Sequence, residues 1–583
     1  MALNKTTYEI QGLAARRDIR TTLAGLSVAM LAAGGVALER GFRLDIRPDW
    51  MMPVLQIVAS YLALWVAGDL GPLAGPKTRW RSRVGQLGEL GLLAAVGIEA
   101  AGFSMAGEIV AVAMAVTLAC RLNTQLARTI SNPSLLFPGS FVVLILLSTT
   151  LLMLPAATPQ DNRIGLVDAL FTATSAVCVT GLTVRDTGGD FTLFGQSVIF
   201  ASIQLGGLGM MIFGSTLALL FGARLSFREN LTLSRALNEY PAHRISRFVG
   251  FIVLTTVFIE AAGAVAIYAL WPAPADMAWQ ARAWMAAFHS VSAFCNAGFD
   301  LTGESMVGMR SSPVAYLGVM PLIIIGGVGF LVLDDLWRKA FGRATAGGGA
   351  VAIGDTGPGP RRRLSTHSKL VLVTTGLLLV GGALVIFAAQ LKVPGVAPGQ
   401  RVLDAVFMST TARTAGFNSV PMEELAPGSR FMLMVLMLIG GSPGSTAGGI
   451  KTVVFAVLAL GVFATVRGRD EVEVFGRALP DELVKKAAAA AFGLITLVAL
   501  ATLTLDLIEQ IPFEPLFFEV ISAASTTGLS LGITERLSPA ARLVLVAAMF
   551  LGRVGLLAFI GSLIAGGGRR GSYRYPRDNV SLG

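Results

Sequence analysis

The sequence predicts an all-α polytopic membrane protein. It is built from four units of membrane helix, re-entrant loop and membrane helix in pseudo-fourfold arrangement, behind an N-terminal extension of about four helices. Composition is the first ground. Of 583 residues, 54% are hydrophobic and 14% charged, with a mean hydropathy of +0.69, too little charge to cover a soluble protein of this size. Internal repetition is the second. Ser175-Ala-Val-Cys-Val-Thr-Gly181 returns as Ser292-Ala-Phe-Cys-Asn-Ala-Gly298, and more loosely as Thr410-Thr-Ala-Arg-Thr-Ala-Gly416 and Ser522-Ala-Ala-Ser-Thr-Thr-Gly528. The closing glycines stand at a nearly constant spacing along the chain, a period that must reflect repeated structure. The third ground is that each copy lies between two apolar runs of spanning length, roughly 20 residues.

Several functional classes are excluded at once. The net charge of +10 would suggest nucleic acid in a soluble protein, but here it belongs to basic cytoplasmic loops. Cys120, Cys178 and Cys295 offer neither a disulfide framework nor zinc spacing, and His243, His289 and His367 are too scattered for a metal site. An intramembrane enzyme would need a nucleophile–base pair or a metal cluster; no HExxH and no paired intramembrane aspartates in a Gly-Asp setting occur. A receptor or scaffold would not need four equivalent glycine loops.

In chain order, Arg16, Arg17 and Arg20 precede the first apolar run, which reads as a retained helix because no small-residue cleavage site follows. Runs near 21–38, 52–70, 86–102 and 104–122 make up the extension, residues 1–133, with Glu99 its one intramembrane carboxylate. The repeats follow as 134–225, 226–343, 367–480 and 481–583, with a low-complexity linker in 344–366. First helices are expected near 136–155, 247–271, 368–390 and 484–507. Second helices are expected near 194–221, 313–337, 430–467 and 541–565. Basic loops at 228–247, 337–343, 361–369, 467–477 and 569–577 place both termini inside and the glycine loops outside.

Irregular backbone at membrane depth must be buried in protein or line a wet cavity, so four such segments in one chain predict pore loops around one ion-conducting axis. A filter turns carbonyl oxygens inward to replace an ion's hydration shell, a twist that glycine adopts cheaply. Gly181, Gly298, Gly416 and Gly528 fit, with Val179, Thr180, Asn296, Ala297, Thr414, Ala415, Thr526 and Thr527 supplying the preceding carbonyls for the ion. Short helices ending at the loops would favour a cation through their negative C-terminal ends. One Ser/Thr/Gly cluster would be an ordinary turn; four at a constant period are not.

The third second helix is interrupted by Gly440, Gly441, Ser442, Pro443, Gly444, Ser445, Thr446, Ala447, Gly448 and Gly449, which cannot continue a regular helix. The run Gly444-x4-Gly449-Ile450-Lys451-Thr452 carries one residue too many for a phosphate loop and follows no strand. Arg553, in MFLGRVGLLAF, is costly at bilayer depth and should face the pore or a carboxylate. Arg413 is expected behind the filter, buttressed by Glu519 or Asp404. Glu260 and Asp506 read as packed or interfacial, His289 as a hydrogen-bonded structural residue, and Cys178 and Cys295 as small buried side chains.

DALFTATSAVCVTGLTVRDTG (168–188), IQLGGLGMM (203–211), TARTAGFNS (411–419), GGSPGSTAGGIKT (440–452) and YRYPRDN (573–579) together resemble the Trk/Ktr/HKT superfamily of potassium transporters, most of all its KtrB branch. The resemblance spans about 134–583 and leaves 1–133 outside. It implies a K⁺-uptake protein of the bacterial inner membrane without catalytic chemistry, in which the four glycines are filter residues. It also implies that 440–449 is an intramembrane gating loop, with Arg553 a positive barrier beside it and Lys451 in a similar role or marking the loop's cytoplasmic end. The expected assembly is a homodimer on a cytoplasmic ring of nucleotide-binding regulatory subunits. This chain has no dinucleotide fingerprint and no cofactor of its own, so any nucleotide sits on the partner. One glycine per loop is simpler than TVGYG, which keeps a Na⁺-permeable or Na⁺-coupled transporter as the alternative.

Overall fold

A computed structural model describes residues 136–159, 162–209, 245–272, 277–341, 364–391, 393 and 395–556. The extension at 1–133, most of the linker and the basic tail lie outside these residues, with Glu99, Cys120 and His243.

Every glycine segment sits between helices. In chain order these are α1 (Leu136–Leu152), α2 (Leu166–Val177), α3 (Leu193–Leu208), α4 (Ile245–Leu270), α5 (Trp279–Phe294), a π-helical turn (Val314–Val319), α6 (Met320–Val328) and α7 (Phe330–Phe341). They continue as α8 (Thr366–Gln390), α9 (Pro398–Thr411), α10 (Pro427–Leu438), α11 (Thr452–Val466), α12 (Asp481–Ile508), α13 (Phe513–Ser525) and α14 (Pro539–Val554). The chemistry of the starts is local: Pro opens α9, α10 and α14, and the side chains of Thr192, Ser365 and Ser538 cap α3, α8 and α14.

The long outer helices are apolar on the face that water would otherwise meet. Phe248–Leu270, Thr366–Gln390 and Asp481–Ile508 have mean hydropathies of 2.1, 2.6 and 2.2 and are long enough to cross a membrane. Exposed Leu254, Phe258, Leu377, Phe492 and Leu507 are therefore covered by lipid chains, and the protein is an integral membrane protein. The short helices α2, α5, α9 and α13 lie inside, with their C-terminal halves fully buried. Each packs on the long helix before it and on two flanking helices: α3 touches α2 and α5, α6 touches α5 and α9, α10 touches α9 and α13, and α14 touches α13 and returns to α2. The chain thereby closes on itself.

The differences from the sequence reading concern continuity: the expected helices over 194–221 and 541–565 leave the α-helical path at Gly209 (φ +77°) and Gly555 (φ +85°). The expected helix over 313–337 is two helices bent by 99° at Gly329, whose φ of +95° cannot continue an α-helix. Residues 467–477, read as a plain basic loop, include a hairpin in which Val472–Val474 pairs antiparallel with Arg477–Leu479 around Phe475 and Gly476, both at positive φ.

Candidate functional site: a ring of glycine segments over an inserted loop

Each glycine segment begins where a short buried helix runs out of hydrogen bonds. Val179, Asn296 and Thr526 donate to Ala176, Ala293 and Ala523 at 3.1 Å. The next residues, Thr180, Ala297 and Thr527, reach back to Ser175, Ser292 and Ser522 at 2.7–2.8 Å. In the third segment Ala415 donates to Thr411 at 2.9 Å. Serine hydroxyls hold two glycines, Ser175 Oγ accepting from Gly181 N at 3.1 Å and Ser522 Oγ from Gly528 N at 3.0 Å.

The backbone then twists twice. Gly181, Gly298, Gly416 and Gly528 have φ of +88°, +70°, +83° and +93°. Two residues earlier, Val179, Asn296, Thr414 and Thr526 are also left-handed, at +56°, +57°, +69° and +52°. For β-branched residues this is strained, at about 1–3 kcal/mol each. Sequence reasoning misses it, because Val, Asn, Thr and Thr share no propensity for that region. Only alignment of the repeats marks the position.

The segments meet in a closed circuit. A Cβ on Gly181 would lie 2.4 Å from Ala297 O, on Gly298 2.9 Å from Ala415 O, on Gly416 2.6 Å from Thr527 O, and on Gly528 2.2 Å from Thr180 O. Any side chain at these glycines therefore collides with a neighbouring carbonyl. Among the described residues, the carbonyls of Val179, Thr180, Asn296, Ala297, Thr414, Ala415, Thr526, Thr527 and the four glycines accept no inter-element hydrogen bond. A set of buried, unclaimed carbonyls is suited to a desolvated cation.

Beneath the circuit, residues 439–451 leave the helical path between α10 and α11. The loop re-enters its own helix line, Ile450 N donating to Leu438 O at 2.9 Å and Thr452 N to Gly441 O at 3.0 Å. Otherwise it leans on the break at Gly329. Ser442 N donates to Gly327 O at 3.0 Å, Thr446 N to Gly326 O at 3.4 Å, and Phe330 N to Gly444 O at 3.0 Å. These are backbone groups that two interrupted helices leave unpaired.

Three cations hold the loop by its carbonyls. Arg553 donates to Thr446 O through Nη1 and to Gly206 O through Nη2 at 2.9 Å. Lys451 Nζ donates to Ala447 O at 2.6 Å, and Arg413 Nη2 to Gly440 O at 3.2 Å. Neither carboxylate expected behind Arg413 stands there. Asp404 instead makes a salt bridge to Arg310 at 2.6 Å, and Glu519 accepts from Ser530 Oγ at 2.7 Å and from the Thr534 hydroxyl. The reason is position: Arg413 follows the C-cap Ala412 at one end of α9, whereas Asp404 lies within α9 and meets Arg310, in the stretch between the Gly298 segment and the π-helical turn of the second repeat. Glu260 is buried and accepts from Gln204 Nε2 at 3.1 Å, while Asp506 is exposed. His289 Nδ1 meets Met285 O at 2.8 Å, and Cys178 and Cys295 are buried free thiols.

Comparison with known proteins places this architecture. The family described as TrkH, cation transport protein, matches residues 105–562, a stretch that begins ahead of the first repeat and takes in all four glycine segments. The potassium/sodium uptake protein NtpJ of Enterococcus hirae is 34% identical over 460 residues, 78% of this chain and 97% of that protein. The Ktr system potassium uptake protein B of Vibrio alginolyticus is 35% identical over 451 residues (76% and 93%), and its namesake of Bacillus subtilis 33% over 458 (77% and 96%). The crystal structure of the potassium transporter TrkH from Vibrio parahaemolyticus shares the fold with a TM-score of 0.58 at 20% identity, covering 93% of this chain and 97% of that one. With most of its length matched by the family, and with these relatives matched along nearly their own whole length, the chain belongs to the TrkH/Ktr family of cation transport proteins.

Proposed function

We propose that this chain is the membrane subunit of a K⁺-uptake system, conducting K⁺ through a filter formed by the four glycine segments. The observation that carries the reading is the closed circuit of Gly181, Gly298, Gly416 and Gly528, with the carbonyls before them unclaimed. In this reading the carbonyls replace water around the ion without covalent chemistry. Loop 440–449 is the gate, and Arg553 with Lys451 sets a positive barrier in the path below it. The basic loops put both termini in the cytoplasm and the filter mouth outside. Relatives named as protein B of a Ktr system support a multi-subunit assembly, here a homodimer on a cytoplasmic nucleotide-binding ring. No nucleotide site is assigned to this chain.

The name of the Enterococcus hirae relative, a potassium/sodium uptake protein, and the single glycine per segment favour one second reading, a Na⁺-permeable or Na⁺-coupled transporter of the same fold. Rb⁺ uptake into liposomes carrying the purified full chain decides, with K⁺ and Na⁺ as competitors, for wild type, Gly416→Ser and a deletion of 442–448. K⁺ competing far better than Na⁺, erosion of that preference by Gly416→Ser and increased flux in the deletion are the expected results. Equal competition by Na⁺ supports the second reading. A silent loop deletion counts against a conducting path altogether.

A further inference from the structure

The residue two places before each glycine is left-handed, with strain at the β-branched Val179, Thr414 and Thr526, and in two segments its side chain leaves the filter for the loop. Asn296 Nδ2 donates to Thr446 Oγ1 at 3.1 Å, and Thr414 Oγ1 accepts from Gly448 N at 3.2 Å. Among the described residues these are the only hydrogen bonds of the two side chains, and Asn296 Oδ1 has no partner there. The fourth segment touches the same place by packing: a Cβ on Gly448 would lie 2.0 Å from Thr526 Oγ1 and 2.5 Å from Ser525 O. The first segment has Val179 at this position, which can make no such bond. Thr446 is the busiest residue in the contact, since its hydroxyl also lies 3.1 Å from Phe294 O and 3.2 Å from Gly326 O, and its carbonyl receives Arg553.

We propose that Asn296 and Thr414 are specificity-determining positioning residues: the seated loop, through Thr446 and Gly448, fixes the left-handed turns of the second and third segments, so the filter discriminates K⁺ from Na⁺ best while those bonds are intact. This rests on the reading of 440–449 as gate and of the glycine ring as filter. A left-handed non-glycine residue persists only where its surroundings over-determine it. Withdrawal of the loop leaves Asn296 and Thr414 without those restraints, and the carbonyls that follow them, at Ala297 and Ala415, gain freedom.

The decisive variant lies outside the filter. Thr446→Val removes the hydroxyl that receives Asn296 without altering any filter residue. In liposomes carrying the full chain, Thr446→Val and Asn296→Ala should each raise Rb⁺ flux. Each should also lower the preference for K⁺ over Na⁺ as competitor about fivefold, the ratio one ordinary lost hydrogen bond produces. Their combination should do no more than either alone, the mark of a shared interaction, and Thr446→Ser should retain most of the preference. Higher flux with the preference of wild type, or preference losses that add in the double variant, overturns the proposal and leaves gate and filter standing as separate devices. A loop deletion that conducts with undiminished preference overturns it likewise. A loop deletion that conducts nothing removes the conducting-path reading beneath it, a result distinguishable from the others because flux itself is absent.

Discussion

The glycine circuit and the loop below it are built by opposite rules. In three repeats the second helix closes directly on the end of the short buried helix: a Cβ on Gly206 would lie 1.9 Å from Val177 O, on Gly326 2.0 Å from Phe294 O, and on Gly552 2.0 Å from Ala524 O. Each of those carbonyls stands four residues before a glycine of the circuit. In the third repeat the corresponding Gly440 meets Gly448 O at 2.0 Å instead, so the chain's own loop fills the place of a helix-to-helix contact. The circuit is made of equivalents that support one another; the loop is an exception wedged among them. Its mooring is polar, through freed backbone groups and three cations, where the circuit's is steric. Steric contacts between backbones have one arrangement, whereas hydrogen bonds can be exchanged for water or for other partners, so a movable part is expected where the polar mooring lies.

The same insult placed in both regions should separate them most widely. Ala at Gly528 forces a side chain onto backbone at φ +93° and 2.2 Å from Thr180 O, at a cost of about 3 kcal/mol or more from strain and overpacking. Gly528→Ala should abolish K⁺ preference and lower the thermal unfolding midpoint in detergent. Gly448→Ala meets Thr526 Oγ1 at 2.0 Å, but here the loop can give way. It should unseat the loop, raising flux while the midpoint barely moves. Equal destabilisation by both substitutions would erase the distinction between steric ring and polar wedge.

An intermediate effect comes from the cations. Arg553 bridges the loop to α3, so Arg553→Ala removes two charge-assisted bonds and a positive charge. About 2 kcal/mol for such bonds corresponds to a rise in flux of about thirtyfold. Arg553→Lys keeps the charge but not the two-pronged reach to both Thr446 O and Gly206 O, and should fall between. Flux measurements that group Lys with wild type assign the residue's effect to charge alone, and those that group it with Ala assign it to the tether.

How far the sequence discloses each region follows from the same contrast. The ring glycines are legible because repetition at a nearly constant spacing singles out positions that chemistry alone would leave as turns. The interruption at 440–449 is legible because its five glycines and proline cannot make a helix. What the loop holds on to is not. Burial of a cation argues for a carboxylate beside Arg413, yet its guanidinium ends on Gly440 O, and carbonyls carry no signature in a sequence. The bend at Gly329 is hidden too, since the glycines of Gly326-Gly327-Val328-Gly329 stand in an apolar run, where membrane helices tolerate glycine. Residues 1–133, whose role composition leaves open, lie outside the described structure.

The smallest effects belong to the outer rim, where each second helix touches the next short helix near its start. Trp284 Nε1 donates to Gln196 Oε1 at 2.9 Å, Gln400 Nε2 to Tyr316 OH at 3.3 Å, Arg430 Nε stands 3.3 Å from Glu514 Oε1, and Arg542 pairs with Asp168. The partners differ chemically while their places in the repeats agree, so the rim is held by position rather than by one kind of bond. Glu514 is 46% exposed, and a pair of that kind contributes about 0–1 kcal/mol after solvent screening. Arg430→Ala should therefore shift the unfolding midpoint slightly and leave K⁺ preference alone, because the remaining rim contacts and the steric ring still fix the third and fourth segments. If Arg430→Ala instead erodes preference as strongly as Gly528→Ala, the ring is not self-supporting. The strained turns would then depend on the rim from outside as well as on the loop from within.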